Sequence, residues 1–522
     1  MNNSGDEGGP EGPARGSGAI SPGAGSREIK KGLPLTFRLQ QKERKEVPMK
    51  NYDTAAAVAC LGGVFLDILK GGDIGLSGFE REAVLVGHMT IAAAAALALE
   101  SYDDELCASL PAGSRIHGRR PRTLATTFGD LAFARRVCVD RYGNTFAPLD
   151  DAIDLARNAR VSPHAQEFLV DAASEGSYAK AAHFMEAAGG SSVSARTVMN
   201  VMRLAGEACE EADVALAHDL YANGVLPEAD ADDEEICMEA DGCWIPLQDG
   251  GNVEVKAMVA YAGKAGPGRV ERVRPVRFGC VSGPRAFWAQ GMAATATRFD
   301  MSKVRVCHAG FDGEAWCKQA ADYLPAAASV DGNLDPFHVN RAIGSCFAEP
   351  GADAERQVMQ CIWFGRAGDA ADLLEALADD GLARPKNAAQ VAAYLRNNAE
   401  FIRSCPPSLG TMEAENEHLY ASRMKSVPCG WSRRGASDMA RIRSRKYSGR
   451  EVPMPTRDSR MSPARRRARQ KKVDDFLTRA AGRPVECVGS GYEYPHRAST
   501  AGMRADIRYK AGLTADHMVG EV

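Results

Sequence analysis

The feature that most constrains this chain is an order of elements within residues 236–425. Alternating apolar residues predict strands over Ile236–Leu247, Val253–Tyr261 and Arg272–Val281, joined by the turn formers DGG and GKAGPG. A helix is predicted over Phe287–Arg298, and a fourth strand, KVRVCHAG, ends at Phe311-Asp312-Gly313. A helix over Glu314–Tyr323 then leads to a fifth strand candidate, AAASVDGNLD, which ends at Asp335. From Phe337 to about Ile402 the pattern is helical or loop, and a further helix is predicted near 413–425. Few topologies accept three strands as a meander followed by helix, strand, helix, strand, helix. Consecutive strands tend to pair, and parallel crossovers have a fixed hand.

This is the order of the ribonuclease-H fold, so an α/β catalytic core is expected over 233–443, with an all-helical insertion at about 345–405. Two-metal phosphoryl transfer needs carboxylates from separate elements converging on one sheet edge. In that order one acid lies on the first strand, one just after the fourth, and one on the last helix. Asp241, Asp312 and either Glu413 or Glu415 stand there. With 68 acidic residues any single acid can fall in place by chance, so the joint placement carries the argument. Gly242 and Gly313 let the backbone come close to a ligand. All-oxygen ligation points to two Mg2+ ions, with Mn2+ able to replace them.

Upstream, residues 1–48 form a tail rich in Gly, Pro and Ser near its start and expected to be disordered. Residues 49–159 are expected to be helical with a small β-hairpin around Gly129-Asp130. Residues 160–232 read as a helix-turn-helix followed by an acidic linker. There a helix around Ala179–Ala188 meets the turn Gly189-Gly190-Ser191, and Ser194 caps a second helix. Arg196, Thr197 and Asn200 lie in its first two turns, where base edges would be reached; a plain helical hairpin is the bland alternative. Residues 444–522 are expected to be a basic, partly disordered tail. Its run RRRARQKK, with Arg465, Arg466 and Arg467, suits nonspecific DNA contact or a solvated face. More broadly, the Arg and Lys of 441–472 suggest contact with a polyanion. Arg423 and Lys425 share the late helix with Glu413, and there too a solvated face competes with phosphate contact.

Composition excludes other classes. At 522 residues several domains are expected, and a net charge of −4 argues against attraction of the whole protein to nucleic acid. The 14 cysteines form no C-x-x-C pair, so neither a zinc site nor a disulfide framework is expected, and Cys237 and Cys243 beside Asp241 are not ligand candidates. The first residues hold no apolar run of signal-peptide type. VLVGHMTIAAAAALAL, at 84–99, is short for a bilayer, Ala-rich and carries His88, so a buried helix is expected. These features point to a soluble cytoplasmic, nucleoid-associated protein with no membrane partner. Trp316 and Trp431 read as core residues; the rival role for Trp316, so near Asp312, is stacking on an extruded base.

Several segments also resemble a known family. RTLATTFGDLAFARRVCVDRYGNTFAPLD (122–150), SYAKAAHFME with VSARTVMNVMRLAGE (177–207), FDGEAW (311–316), LDPFHVNRAI (334–343) and EAENEHLYASRMKSVPCGWSRRGASDMARIR (413–443) are similar to the Lre-type insertion-sequence transposases, a family long catalogued only as uncharacterised. The resemblance spans about 110–445 in order. It implies a DDE transposase with Asp241, Asp312 and Glu413 as the metal-binding triad and Asp335 and His338, in a D-x-x-H signature, beside the active site. Spacing to His418 and Arg423 in the family block favours Glu413 over the neighbouring Glu415. The 78 positions between Asp335 and Glu413 agree with an interrupted core. Phe311 departs from the glycine usual before the second aspartate. The implied activity is metal-dependent cleavage and strand transfer of double-stranded DNA, at element ends and target, by a homo-oligomer assembled on DNA. Its rivals are a nuclease of the same fold that never joins strands, and a sequence-specific DNA-binding protein with a decayed core.

Overall fold

The computed structural model describes residues 55–454, except 73, 267–270, 350, 404–408, 411 and 427–429. The expected N-terminal tail and Arg465, Arg466 and Arg467 therefore lie outside the described residues. The chain divides into two units, Met1–Cys60 and Leu61–Val522. Of the first, only the opening of helix α1 (Ala55–Lys70) is described; every other element belongs to the second.

Helix α2 (Leu76–Ala108) corrects one expectation. It is long and apolar enough to cross a membrane by length and composition, and none of that apolar window is buried. Val84, Leu85, Met89, Ile91 and Leu97 are exposed rather than core. What docks this helix lies mainly at its C-terminal end and is partly polar. Asp103 accepts from the Arg136 side chain (3.0 Å) and backbone, and Glu100 from the Ala134 N–H at 2.7 Å. These donors sit on the predicted hairpin, β1 (Arg115–Thr126) and β2 (Gly129–Val139), which is extended by β3 (Thr145–Phe146).

After α3 (Pro148–Ala152) come α4 (Pro163–Glu175), α5 (Tyr178–Gly189) and α6 (Ala195–Tyr221). The expected helix-turn-helix punctuation is present. Gly190 adopts φ +71°, where a Cβ would be strained, and the Ser194 side chain accepts from the Thr197 N–H at 3.1 Å.

The predicted meander is β4 (Glu235–Pro246), β5 (Asn252–Tyr261) and β6 (Val276–Cys280). Helix α7 (Pro284–Ala296) leads to β7 (Val306–Phe311). The helix expected over 314–323 is a short α8 (Ala315–Lys318) that tightens into a 3-10 turn, and β8 (Ser329–Leu334) follows it in the chain. In the sheet the order is β6-β5-β4-β7-β8, with β5 antiparallel to β4 and β6 and with β4, β7 and β8 mutually parallel. β6 is shorter than predicted at its start, because Arg272 forms only an isolated bridge to Lys264.

The helical stretch holds α9 (Pro336–Gly344), α10 (Asp353–Trp363), α11 (Ala367–Asp379) and α12 (Pro385–Asn397). The late helix is segmented into α13 (Met412–Asn416), a π turn at Glu417–Ala421 and α14 (Ser422–Met424). Helix α15 (Arg433–Tyr447), capped by Ser432 as expected, runs past the expected core limit at 443. For 441–447 it also corrects the reading of 441–472 as a polyanion contact, while 455–472 lie outside the described residues. Arg441, Arg443 and Arg445 are buried against α4 and α6, where Asp213 accepts from Arg441 at 2.7 Å and from Arg445 at 2.6 Å.

Candidate metal centre

Strand register builds the site. Glu239, Gly310 and Asn333 form one row across β4, β7 and β8, and Ala240, Phe311 and Leu334 form the next. One residue further the parallel pairing stops, with an aspartate in each chain segment: Asp241 within β4, Asp312 just after β7 and Asp335 just after β8. Because side chains alternate along a strand, Glu239 and Asp241 share a face and Ala240 points away. A small pocket opens there, lined among others by Glu239, Asp241, Asp312, Asn333, Asp335, His338 and Gly410.

Local bonds fix each acid. Asp241 is buried, and its oxygens accept from the Gly242 N–H at 2.7 Å and from Asn416 Nδ2 at 2.8 Å. Asp312 accepts from the Glu314 N–H at 2.8 Å, its carbonyl accepts from Tyr394 of α12 at 2.8 Å, and Gly313 makes the turn at φ +98°. Asp335 caps α9, accepting from the Phe337 N–H at 2.9 Å. His338, one turn on, has its Nε2 3.9 Å from an Asp335 oxygen. Ligand atoms of Asp241, His338 and Glu413 lie within 4.8 Å of one another.

Negative charge is in surplus around the buried Asp241. Burial, then the neighbouring Asp312, pushes the Asp241 carboxyl from the ordinary 3.8 to about 6, with Glu413 adding to the rise. Burial also raises Asp335, in spite of the Phe337 N–H and His338, with Glu239 and Glu413 nearby. Two raised carboxyls with further acids beside them, set around an imidazole within ligand distance, are a donor set that fits divalent cations.

Of the two late-helix glutamates, Glu413 is exposed and belongs to this group. Glu415 is buried and turned away, ion-paired with Arg272 and with Arg277 Nε at 2.7 Å. Glu415 faces the two arginines before and on β6, which keep its carboxyl low although burial alone would raise it.

Phe311, the departure from glycine, packs edge-on against Phe401 at 4.9 Å between centroids. Gly332 makes the room, since a Cβ there would lie 2.8 Å from the Phe401 ring. The Phe311 side chain is thus on the face opposite the carboxylates. Trp316 and Trp431 are core residues as expected. Burial pushes the Cys237 and Cys243 thiols up to about 11, so neither is a ready ligand.

Outside the pocket, Arg196 and Asn200 are exposed, and Thr197 is half-buried with its hydroxyl 3.0 Å from that of Ser194. Arg423 is spent on packing. It donates to the Ala173 carbonyl at 3.1 Å and lies over the Trp431 ring. Lys425 is exposed beside the Cys243 thiol. Sequence reasoning missed Glu239 and Asn416. The first carried a signal, since E-x-D on a strand puts both acids on one face; the second carried none.

A family model described as "Uncharacterised protein family (UPF0236)" matches residues 114–460. A UPF0236 protein of Caldanaerobacter subterraneus subsp. tengcongensis is 22% identical over 345 residues, covering 63% of this chain and 68% of the relative. A second from the same strain is 23% identical over 347 residues, 63% and 69% of the two chains. A UPF0236 protein in the vanSb 3′ region of Streptococcus gallolyticus is 25% identical over 386 residues, 72% of this chain and 83% of that one.

Proposed function

Because this chain belongs to the uncharacterised protein family UPF0236, its function must be read from its site, and we propose that it is a DNA transposase of the DDE type. The observation that carries the reading is the gathering of Asp241, Asp312, Asp335, His338 and Glu413 where the parallel pairing of β4, β7 and β8 stops. The sheet order, with its fourth and fifth strands parallel to the first, supports a ribonuclease-H-like core. The name of one Caldanaerobacter relative joins eleven numbered designations from a single strain, as copying within a genome would leave.

In this reading Asp241, Asp312 and Glu413 hold two Mg2+ or Mn2+ ions, with His338 close enough to orient or complete the set. Such ions, when bound, supply Lewis acidity that activates water or a DNA 3′-hydroxyl and stabilises the leaving oxygen. The chain's own residues position. Gly242 and Asn416 fix the Asp241 oxygens, and the Glu314 N–H with Tyr394 fixes the turn that carries Asp312. The carboxylates need not move protons. Exposed Arg196 and Asn200 at the start of α6 suit base reading at the element ends, and a homo-oligomer on DNA would bring two ends together.

The test incubates the protein with Mg2+ and DNA carrying the sequences that flank its gene. Ends cut and joined to target DNA are expected. Cutting without joining would assign a nuclease, and binding without cutting a decayed core.

A further inference from the structure

Glu239 is 2% exposed, and a carboxylate so buried is tolerable only when its oxygens are hydrogen-bonded. One accepts from the Tyr261 hydroxyl at 2.7 Å, across the sheet on β5. The other accepts from the backbone N–H of Gly410, also at 2.7 Å and 171 positions away in sequence. Leu409 and Gly410 lie flat against the sheet. A Cβ on Gly310 would meet Leu409 at 3.2 Å and the Glu239 stem at 3.3 Å, so glycine in that row makes space for the segment. Gly410 itself has φ +86°, a conformation in which a side chain would be strained. Three residues later stands Glu413.

Resting on the metal reading, we infer that Glu239 is a positioning residue. It pins the Leu409–Gly410 segment to β4 and β7, and so sets where Glu413 meets Asp241. Both oxygens of Glu239 are already engaged within the protein. That arrangement sets the order of variants. Glutamine keeps an oxygen for the Gly410 N–H, and its amide can donate to the Tyr261 hydroxyl. Alanine removes the pin.

The experiment titrates Mn2+ into the metal-free full-length protein by calorimetry and follows amide hydrogen exchange around Gly410. Loss of an outer partner of a metal ligand weakens affinity by about 10–100-fold, so E239A should fall in that range and E239Q stay within about threefold of wild type. Exchange at Gly410 should quicken in E239A and not in E239Q, with β4 and β5 unchanged. Equal losses in both variants would overturn the positioning role in favour of direct ligation, and an unaffected E239A would overturn it outright. If E239A does not fold, E239Q decides alone: near-wild-type affinity supports the inference, and a tenfold loss contradicts it. Wild-type protein that takes up no Mn2+ would instead overturn the metal reading on which the inference rests.

Discussion

At the contact of α6 with α15, Asp213 is almost fully buried and is met by Arg441, Arg445 and, at 3.6 Å, Arg450. At the sheet edge Asp241 is nearly as buried and is met by Asp312 and Glu413. In the first cluster positive charge is in surplus, and burial together with Arg445 lowers Arg450 to about 10. In the second, negative charge is in surplus, and Asp241 rises to about 6. The same contrast recurs within a single helix. Glu415 takes two arginines, while Glu413, two residues away, joins the acids. A buried acid that brings its own cation is part of the architecture. An acid raised by burial and by neighbouring carboxylates, with no arginine beside it among the described residues, leaves a place for a cation from outside.

Variants can break this comparison at either end. The largest effect is expected at the acids without arginines. Asp241→Ala or Asp312→Ala should reduce cleavage by roughly a thousandfold or more while end binding persists, since a lost metal ligand costs several kcal/mol of transition-state stabilisation. Cleavage and binding assays on the same DNA check it. Retained cleavage would remove that residue from the triad.

Asp213→Ala should act on stability instead. Guanidiniums left buried without their carboxylate cost about 3–5 kcal/mol, read as a lower denaturant midpoint. An unchanged midpoint would deny the architectural role of that cluster.

Asp241→Asn should do the reverse in the metal-free protein. The folded carboxyl titrates near 6 instead of the ordinary 3.8, so between those values the folded state holds a proton that the unfolded state releases. Its contribution is therefore favourable below that window and is lost as pH rises through it. At pH 7 the asparagine variant should be more stable by about 1–3 kcal/mol, and the gain should vanish near pH 4. A variant less stable than wild type at pH 7 would contradict the charge surplus.

The smallest effect is expected away from both clusters. Arg196→Ala or Asn200→Ala should weaken binding to the element ends by about tenfold per lost base contact, with no change in melting. Equal weakening on unrelated DNA would make these residues phosphate contacts instead of base readers.

How much was legible in the sequence depends on the range of the interactions. Strands β4, β5, β7 and β8 announce themselves by local alternation and by glycine-marked ends, so Asp241 and Asp312 could be placed from the order of elements alone. Glu413 and Glu415 could not be separated by position, because what decides between them is Arg272 and Arg277, about 140 positions upstream. The arginines of α15 read as a basic surface because their partners, Asp213 and Glu175, lie more than 200 positions away. Composition misled in α2, where apolar residues do not say whether anything covers them. Glu239 was within reach of the strand period, but its bond to Gly410 was not.

If the acids around Asp241 are a divalent-cation site and the acids beside arginines are not, metal should separate the two glutamates of the late helix. Thermal unfolding of wild type, E413Q and E415Q, each with and without Mg2+, tests this most directly. A cation that binds only the folded state at a hundred times its dissociation constant stabilises by about 2.7 kcal/mol. A stabilisation of that kind is expected in wild type, with its loss in E413Q and its persistence in E415Q above a lowered metal-free baseline. No stabilisation of wild type, or equal stabilisation of E413Q, would contradict the cation site.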